Sequence, residues 1–225
     1  MRRIIVAIDG PSGAGKSTLA KRLAKELGFT YMDTGAMYRA LAWKVLRDKT
    51  DIANEQELQQ LLAQTKIDLS EANGQAYVFL DGIDVTELIR VPEVSQMASK
   101  VSTLKPVRRR MLELQQTMGT RGGVVAEGRD IGTVVFPRAE VKIYLDASAA
   151  ERARRRFEEL RKMGKRVTFE ETLTELEERD KRDTERDLAP LRKAEDAVVI
   201  DSSSLSADTV AKSVMEEIRK KSLEN

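Results

Sequence analysis

The sequence predicts an α/β layered fold on a parallel sheet, and three observations predict it. Five short apolar runs, Ile4–Ile8, Phe29–Met32, Val124–Ala126, Val141–Leu145 and Ala197–Ile200, have the continuous apolar character of strands buried on both faces. Each is followed by polar or Gly residues and then by helical periodicity, the alternation that a sheet covered by helices requires. The 225 residues are 41% hydrophobic and 34% charged with 13 Gly and 5 Pro, which suits one well-filled core with an inserted subdomain and excludes fibrous, low-complexity and disordered classes.

The elements follow in order. Behind the first strand, Leu19, Leu23 and Leu27 recur every four residues beside Ala20 and Ala24, and Gly28 stands where a left-handed helix stop is needed. A second helix over 35–47 carries Tyr38, Leu41, Ala42, Val45 and Leu46 on one face, with Thr34 as its expected N-cap. Asn54-x-x-Glu57, Ser148-x-x-Glu151 and Thr168-x-x-Glu171 resemble capping boxes that open three more helices. Between Ile67 and Val85 the pattern changes to short alternating runs, 67–69, 77–80 and 83–85, around Gly74 and the Asp81-Gly82 pair, predicting a small antiparallel insert. The last helix places Ala207, Val210, Ala211, Val214, Met215 and Ile218 on one face, and the tail after Lys221 is expected to fray.

Composition narrows the chemistry. With no cysteine and no histidine, the chain has no disulfide, no thiolate nucleophile, no cysteine zinc site and no imidazole base. Carboxylates, cations, hydroxyls and backbone amides remain, an inventory suited to phosphoryl transfer, where positioning and charge stabilisation supply most of the catalysis. No stretch approaches the ~20 apolar residues of a membrane span, and the opening apolar run stops at Asp9, too soon for a signal-peptide core. A cytoplasmic protein without a membrane partner is expected. The net charge of +2 conceals a basic stretch, Arg152 to Arg166, beside an acidic one, Glu170 to Glu185. Two solvated helix faces are the default reading, and a cationic lid over an anionic ligand is the alternative.

Directly after the first strand comes Gly10-Pro11-Ser12-Gly13-Ala14-Gly15-Lys16-Ser17, followed by Thr18, a match to G-x-x-x-x-G-K-[ST] between a strand and a helix. The glycines let backbone N–H groups turn inward around phosphate oxygens, Lys16 adds a point charge, and the Ser17 hydroxyl can ligate Mg²⁺. A nucleoside triphosphate and magnesium are implied, while the acceptor of the phosphoryl group stays open. Three clusters bear on that acceptor: Asp33 to Arg39 after the second strand, Glu127-Gly128-Arg129-Asp130 after the third, and Arg179, Asp183 and Arg186 at helical spacing. Arginines at the carboxyl ends of strands suit an anionic acceptor. If the acceptor is itself a phosphate, mostly dianionic at neutral pH because its second pKa is ~6, no general base is needed.

Taken together, GPSGAGKST at 10–18, DTGAMYR at 33–39, EGRDIGTVVFP at 127–137, VKIYLDAS at 141–148 and ERDKRDTERDLAPL at 178–191 closely resemble the bacterial cytidylate kinases, over nearly the whole chain. The resemblance implies a three-layer P-loop kinase fold with a five-stranded parallel sheet, a helical lid and the antiparallel insert in the monophosphate-binding region. It divides a single kinase unit into a core (about 1–33, 104–150 and 185–225), a monophosphate-binding region (about 34–103) and a lid (about 151–184). It implies transfer of the γ-phosphoryl group of ATP to CMP or dCMP with Mg²⁺, UMP being a poor substrate. Carried over by position, Arg39, Arg129 and Arg186 cage the acceptor phosphate, Arg179 and Asp183 touch the sugar, and Ser99, Arg108 and Asp130 read the base. Thr34 and Tyr38 line the same pocket, and Arg152 and Arg156 are lid arginines that act with Lys16, Arg129 and Arg186 in catalysis. Glu127 stands where Asp is more usual and Thr34 where Ser is usual, which leaves open whether Asp33 or Glu127 helps to hold magnesium. A monomer is the family-level expectation, with no nucleic-acid partner. Two other readings remain: a P-loop kinase for UMP or a small anionic metabolite, and an NTP-driven switch or nucleic-acid-binding protein suggested by a pI near 8.7. Against the latter, 4% aromatic residues offer bases few stacking platforms.

Overall fold

The computed structural model, which describes residues 3–72 and 75–223, opens with strand β1 (Ile5–Asp9), whose Val6, Ala7 and Ile8 are fully buried. Helix α1 (Lys16–Leu27) follows, burying Leu19, Ala20, Leu23 and Ala24, and it stops at Gly28, whose φ of 65° is the left-handed conformation that a C-terminal cap demands. Then come β2 (Thr30–Asp33), α2 (Thr34–Asp48), α3 (Glu55–Ala63), β3 (Ile67–Ala72), β4 (Gln75–Leu80), β5 (Ile83–Asp84), α4 (Pro92–Val101) and α5 (Lys105–Gly119). The chain continues through β6 (Val124–Gly128), a π-helical turn at Ile131–Val135, β7 (Val141–Asp146), α6 (Ala149–Lys162), α7 (Phe169–Glu185), β8 (Val198–Asp201) and α8 (Ala207–Leu223).

The five apolar runs all become strands and form a five-stranded sheet in the order β2-β6-β1-β7-β8. β1 pairs in parallel with β6 (Ile8 opposite Glu127) and with β7 (Ile8 opposite Ile143), and β7 pairs in parallel with β8. Because parallel strands end together, Asp9, Gly128 and Asp146 bring their loops to one edge of the sheet, where open α/β folds bind ligands. β3, β4 and β5 form the separate antiparallel insert, with Ile67 opposite Leu80 and Leu80 opposite Ile83. The turn expected at Gly74 lies outside the described residues, whereas Asp81 (φ 52°) and Gly82 (φ 83°) make the second turn as the sequence predicts.

By contacts, the chain forms two compact units, Met1–Phe29 with Gly122–Asn225, and Thr30–Arg121. The second unit has its own apolar core, in which Met37, Ala40 and Leu41 of α2 meet Leu58 and Leu62 of α3, Leu80 of β4, Ala98 and Val101 of α4 and Met111 of α5. Leu41, Ala42 and Val45 of the predicted face lie in that cluster, but the buried face is turned toward Ala36, Met37 and Ala40, and Leu46 is exposed.

Helix capping departs from expectation at α2, and at α3 and α6 only half of the expected box forms. Thr34 is the first helical residue of α2, buried, and the N-cap is Asp33, whose Oδ1 accepts from the Ala36 N–H at 2.8 Å. A carboxylate there also favours the positive end of the helix dipole. Thr168 and Glu171 form the full reciprocal capping box. Asn54 and Ser148 cap their helices, but Glu57 turns to the Asp51 N–H and Glu151 to Arg154 and Arg155. α8 continues to Leu223, and the rest of the tail expected to fray lies outside the described residues. Among the described residues no helix is long and apolar enough to cross a membrane.

Candidate active site

The loop between β1 and α1 is shaped by backbone conformation. Gly10, Gly13 and Gly15 have φ of 145°, 79° and 95°, values that L side chains rarely adopt. At Gly10 the loop also presses against β7, so that a Cβ would lie 1.9 Å from the Leu145 carbonyl oxygen. Ser17 and Thr18 sit in the exposed first turn of α1, with no acidic residue there to repel an anion. This is the geometry in which a helix N-terminus and successive amides receive phosphate.

What holds the loop is a set of donors to its carbonyl oxygens. Lys16 Nζ donates to Pro11 O at 2.6 Å, Arg152 Nη1 to Ser12 O at 3.1 Å, and Ser202 Oγ to Ala14 O at 3.0 Å. Arg155 reaches Ala14 O at 3.4 Å and also donates to Ser202 Oγ and Ser202 O, while its Nε pairs with Glu151. With its carbonyls tied outward, the loop keeps its amides for a ligand. Burial pushes the Lys16 ammonium down to about 7, Arg129 pushing the same way and Glu127 opposing both. Such a lysine is short of anionic partners, and a polyphosphate supplies them.

The basic stretch of α6 does not act as one face. Arg152 is buried, donating to the Ala147 and Ser12 carbonyls and pairing with Asp180 of α7. Arg156 lies on the surface with Glu159 at 2.7 Å. Arg155, between them in sequence, is the second residue that touches the phosphate loop.

The end of β6 carries a second charged group in the same unit. Arg129 Nε binds Asp183 Oδ2 of α7 at 2.8 Å, and Arg186, at the C-cap of α7, approaches Asp130 at 3.5 Å and Asp183 at 4.0 Å and donates from Nε to Ala189 O at 2.8 Å. Burial works to raise the Asp183 carboxyl, yet the cations around it, Arg129, Arg179 and Arg186, hold it below the usual carboxylate range. Arg129 and Arg186 are thus fixed in place by carboxylates, as an anion-binding guanidinium must be if it is not to search for its ligand. Glu127 and Asp130 are both buried.

Within the other unit, Arg39 Nη2 pairs with Asp33 Oδ2 at 2.9 Å. Arg108 of α5 donates to Ser102 O at 3.3 Å and lies 5.9 Å from the centroid of the Tyr38 ring, while Ser102 Oγ donates to the carbonyl of buried Ser99. Tyr38, Ser99 and Arg108 therefore belong to one neighbourhood. Thr34 is buried at the start of α2.

Three residues of the site went unread in the sequence. Asp9 ends β1 and is buried among the residues above, with a signal visible in retrospect: a carboxylate closing an apolar strand just before Gly10. Arg155 was hidden in a run of arginines, and Ser202 follows the last strand in a stretch with no motif.

A phosphate cradle whose amides are kept open by cations behind it, beside arginines steadied by acids, defines a P-loop phosphotransferase. More narrowly, the chain belongs to the cytidylate kinase family, whose family model matches residues 6–220. A cytidylate kinase of Caldicellulosiruptor bescii is 50% identical over 216 residues, 96% of each chain, and one of Bacillus subtilis is 48% identical over 221 residues, 98% of this chain and 99% of that one. Among solved structures, an uncharacterised protein from Eubacterium ventriosum shares the fold with a TM-score of 0.54 at 13% identity, covering 96% of this chain and 98% of that one.

Proposed function

We propose that the protein transfers the γ-phosphoryl group of ATP to CMP or dCMP, giving CDP or dCDP. The observation that carries this reading is the carboxylate-steadied pair of Arg129, at the end of β6, and Arg186, at the C-cap of α7, in a chain of this family with a phosphate loop beside the same sheet edge. ATP takes the loop 10–18, its phosphates on the amides and on Lys16. The acceptor phosphate takes Arg39, Arg129 and Arg186, the sugar takes Arg179 and Asp183, and Thr34 and Tyr38 line the acceptor side. An oxygen of the acceptor phosphate attacks the γ-phosphorus and ADP leaves; the attacking oxygen is already anionic, so the lack of histidine costs nothing. The arginines and Lys16 stabilise the charge that spreads over the transferring group. Arg152 supports the loop from behind, and Arg156 is the lid arginine, which must leave Glu159 to reach over the phosphates.

Ser99, Arg108 and Asp130 read the base. A carboxylate accepts from the cytosine N4 amine, whereas uracil presents an acceptor there and sets oxygen against oxygen, which is the basis for discrimination against UMP. Magnesium fits the donor set at Ser17: one exposed hydroxyl beside the phosphates suits an ion that keeps most of its waters and arrives with the nucleotide. No group of three or more Asp or Glu among the described residues could hold a metal ion without it. When bound, the ion neutralises the β- and γ-phosphate oxygens.

The test is ADP release from MgATP with CMP, dCMP, UMP, AMP or GMP added singly beside a control without acceptor. Fast release with CMP and dCMP, slow with UMP and near zero otherwise is expected. Release independent of acceptor would replace this reading with an ATPase.

A further inference from the structure

Asp9 is a buried carboxylate of the phosphate-binding unit that this assignment leaves without a role, and it touches the acceptor segment. It is 4% exposed, and both of its oxygens are taken by backbone amides: Oδ1 accepts from Ile131 N–H at 2.8 Å and Oδ2 from Gly132 N–H at 2.7 Å. Those two amides open the turn 131–135. Inside the turn, Val134 and Val135 N–H both donate to Asp130 O and Phe136 N–H donates to Ile131 O, so the first amides have no acceptor within it, as at any helix start. A side chain 122 positions away supplies one.

We propose that Asp9 is a positioning residue for the acceptor: by holding the Ile131 and Gly132 amides, it fixes the peptide that carries Arg129 and Asp130. This rests on the cytidylate reading above for the identity of the acceptor. The two sides of Asp9 differ in what else supports them. The phosphate loop that begins at Gly10 is tied through Pro11, Ser12 and Ala14 by Lys16, Arg152, Arg155 and Ser202. The turn after Asp130 has the Asp9 carboxylate on its leading amides. Loss of Asp9 therefore falls on the acceptor before it falls on ATP. Burial pushes the Asp9 carboxyl up to about 6, against the pull of the two amides and of Lys16, so charge is maintained here at a cost in stability. A cap needed for folding alone would be served by a neutral acceptor. Charged oxygens bind amides more tightly and hold their direction better, which a base reader one residue away requires.

The experiment is steady-state kinetics of Asp9→Asn with CMP, UMP and ATP varied in turn, alongside hydrogen exchange of the free protein. Asparagine keeps the shape, but its amide group sets a donor against one of the two N–H groups. The expected result is a rise of roughly 10–100-fold in KM for CMP with less than about a threefold change in KM for ATP, and a narrower kcat/KM preference for CMP over UMP. Faster exchange at the 131 and 132 amides should accompany it, with 10–17 unchanged. Equal rises in both KM values, an unaltered CMP to UMP preference, or unaltered exchange at 131 and 132 would each overturn the proposal. Should Asp9→Asn not be recovered folded, Asp9→Ser, which leaves one oxygen in less volume, reads the same split. Wild-type protein inactive on CMP would overturn the cytidylate reading and this proposal's acceptor with it, while the exchange result would still report whether Asp9 holds the turn.

Discussion

The loop 10–17 and the segment 127–132 lie at the ends of neighbouring strands in one unit, and in the function proposed they meet phosphate in opposite ways. The loop offers backbone amides, shaped by the φ values at Gly10, Gly13 and Gly15, with the Lys16 side chain beside them. Cations behind it hold its carbonyl oxygens. The segment offers a side chain instead: Arg129, with Arg186 from the end of α7 beside it, is held by the carboxylates Asp183 and Asp130. Backbone recognition suits a polyphosphate common to many reactions. Side-chain recognition suits the partner that makes this reaction particular.

The comparison breaks first at its two charged centres. Lys16→Ala and Arg186→Ala should each lower kcat/KM by roughly 10²–10³-fold, because each removes a charge from the transferring group. Circular dichroism should report intact secondary structure for Lys16→Ala, since burial already disfavours its charge in the folded protein. Near-normal turnover in either variant would undo the assignment. Of smaller size, Asp130→Asn should reduce the kcat/KM preference for CMP over UMP by about tenfold, the value of a single discriminating hydrogen bond to a charged group. An unchanged ratio would remove Asp130 from base reading.

The loop side is sharpened by a smaller change. Ser202→Ala deletes one of the donors on Ala14 O while Arg155 stays, and should raise KM for ATP by about threefold with KM for CMP unchanged, as expected for one neutral hydrogen bond. A rise in KM for CMP instead would show that Ser202 does not act through the loop. Last comes a proton. Lys16 sits at about 7 in the free protein and is largely neutral at pH 8. A bound polyphosphate favours its cation, so MgADP binding at pH 8 should take up several tenths of a proton, falling toward zero at pH 6 where Lys16 is already charged. Calorimetry in buffers of different ionisation heat measures this, and identical heats across buffers would contradict it.

The same contrast explains what could be read from the sequence. Gly10 to Ser17 and the Gly28 stop are local, because left-handed backbone and a strand-to-helix junction leave their marks within a few residues. The five strands were legible for the same reason, each a short and mostly apolar run, although Val198 and Val199 of the edge strand β8 are exposed. The helix start at Asp33 was missed by one residue because Asp and Thr are both good caps and only the fold shows which side chain reaches the Ala36 amide. Arg155 and Ser202 were not legible, and Asp9 left only the faint mark of a carboxylate closing an apolar strand. Their partners lie 122, 141 and 188 positions away, and nothing in a carboxylate, an arginine or a serine announces a distant backbone group. The acceptor residues were named by resemblance, and spacing alone supported Arg179, Asp183 and Arg186 only as neighbours on a helix.

In the proposed reaction the γ-phosphoryl group passes from ATP to the phosphate of CMP. The most direct measurement follows label from [γ-³²P]ATP, with magnesium and CMP present, into products separated by chromatography. The account predicts label in the β-phosphate of CDP, with none in inorganic phosphate beyond the level found without enzyme. Label in inorganic phosphate at a rate indifferent to CMP would contradict it.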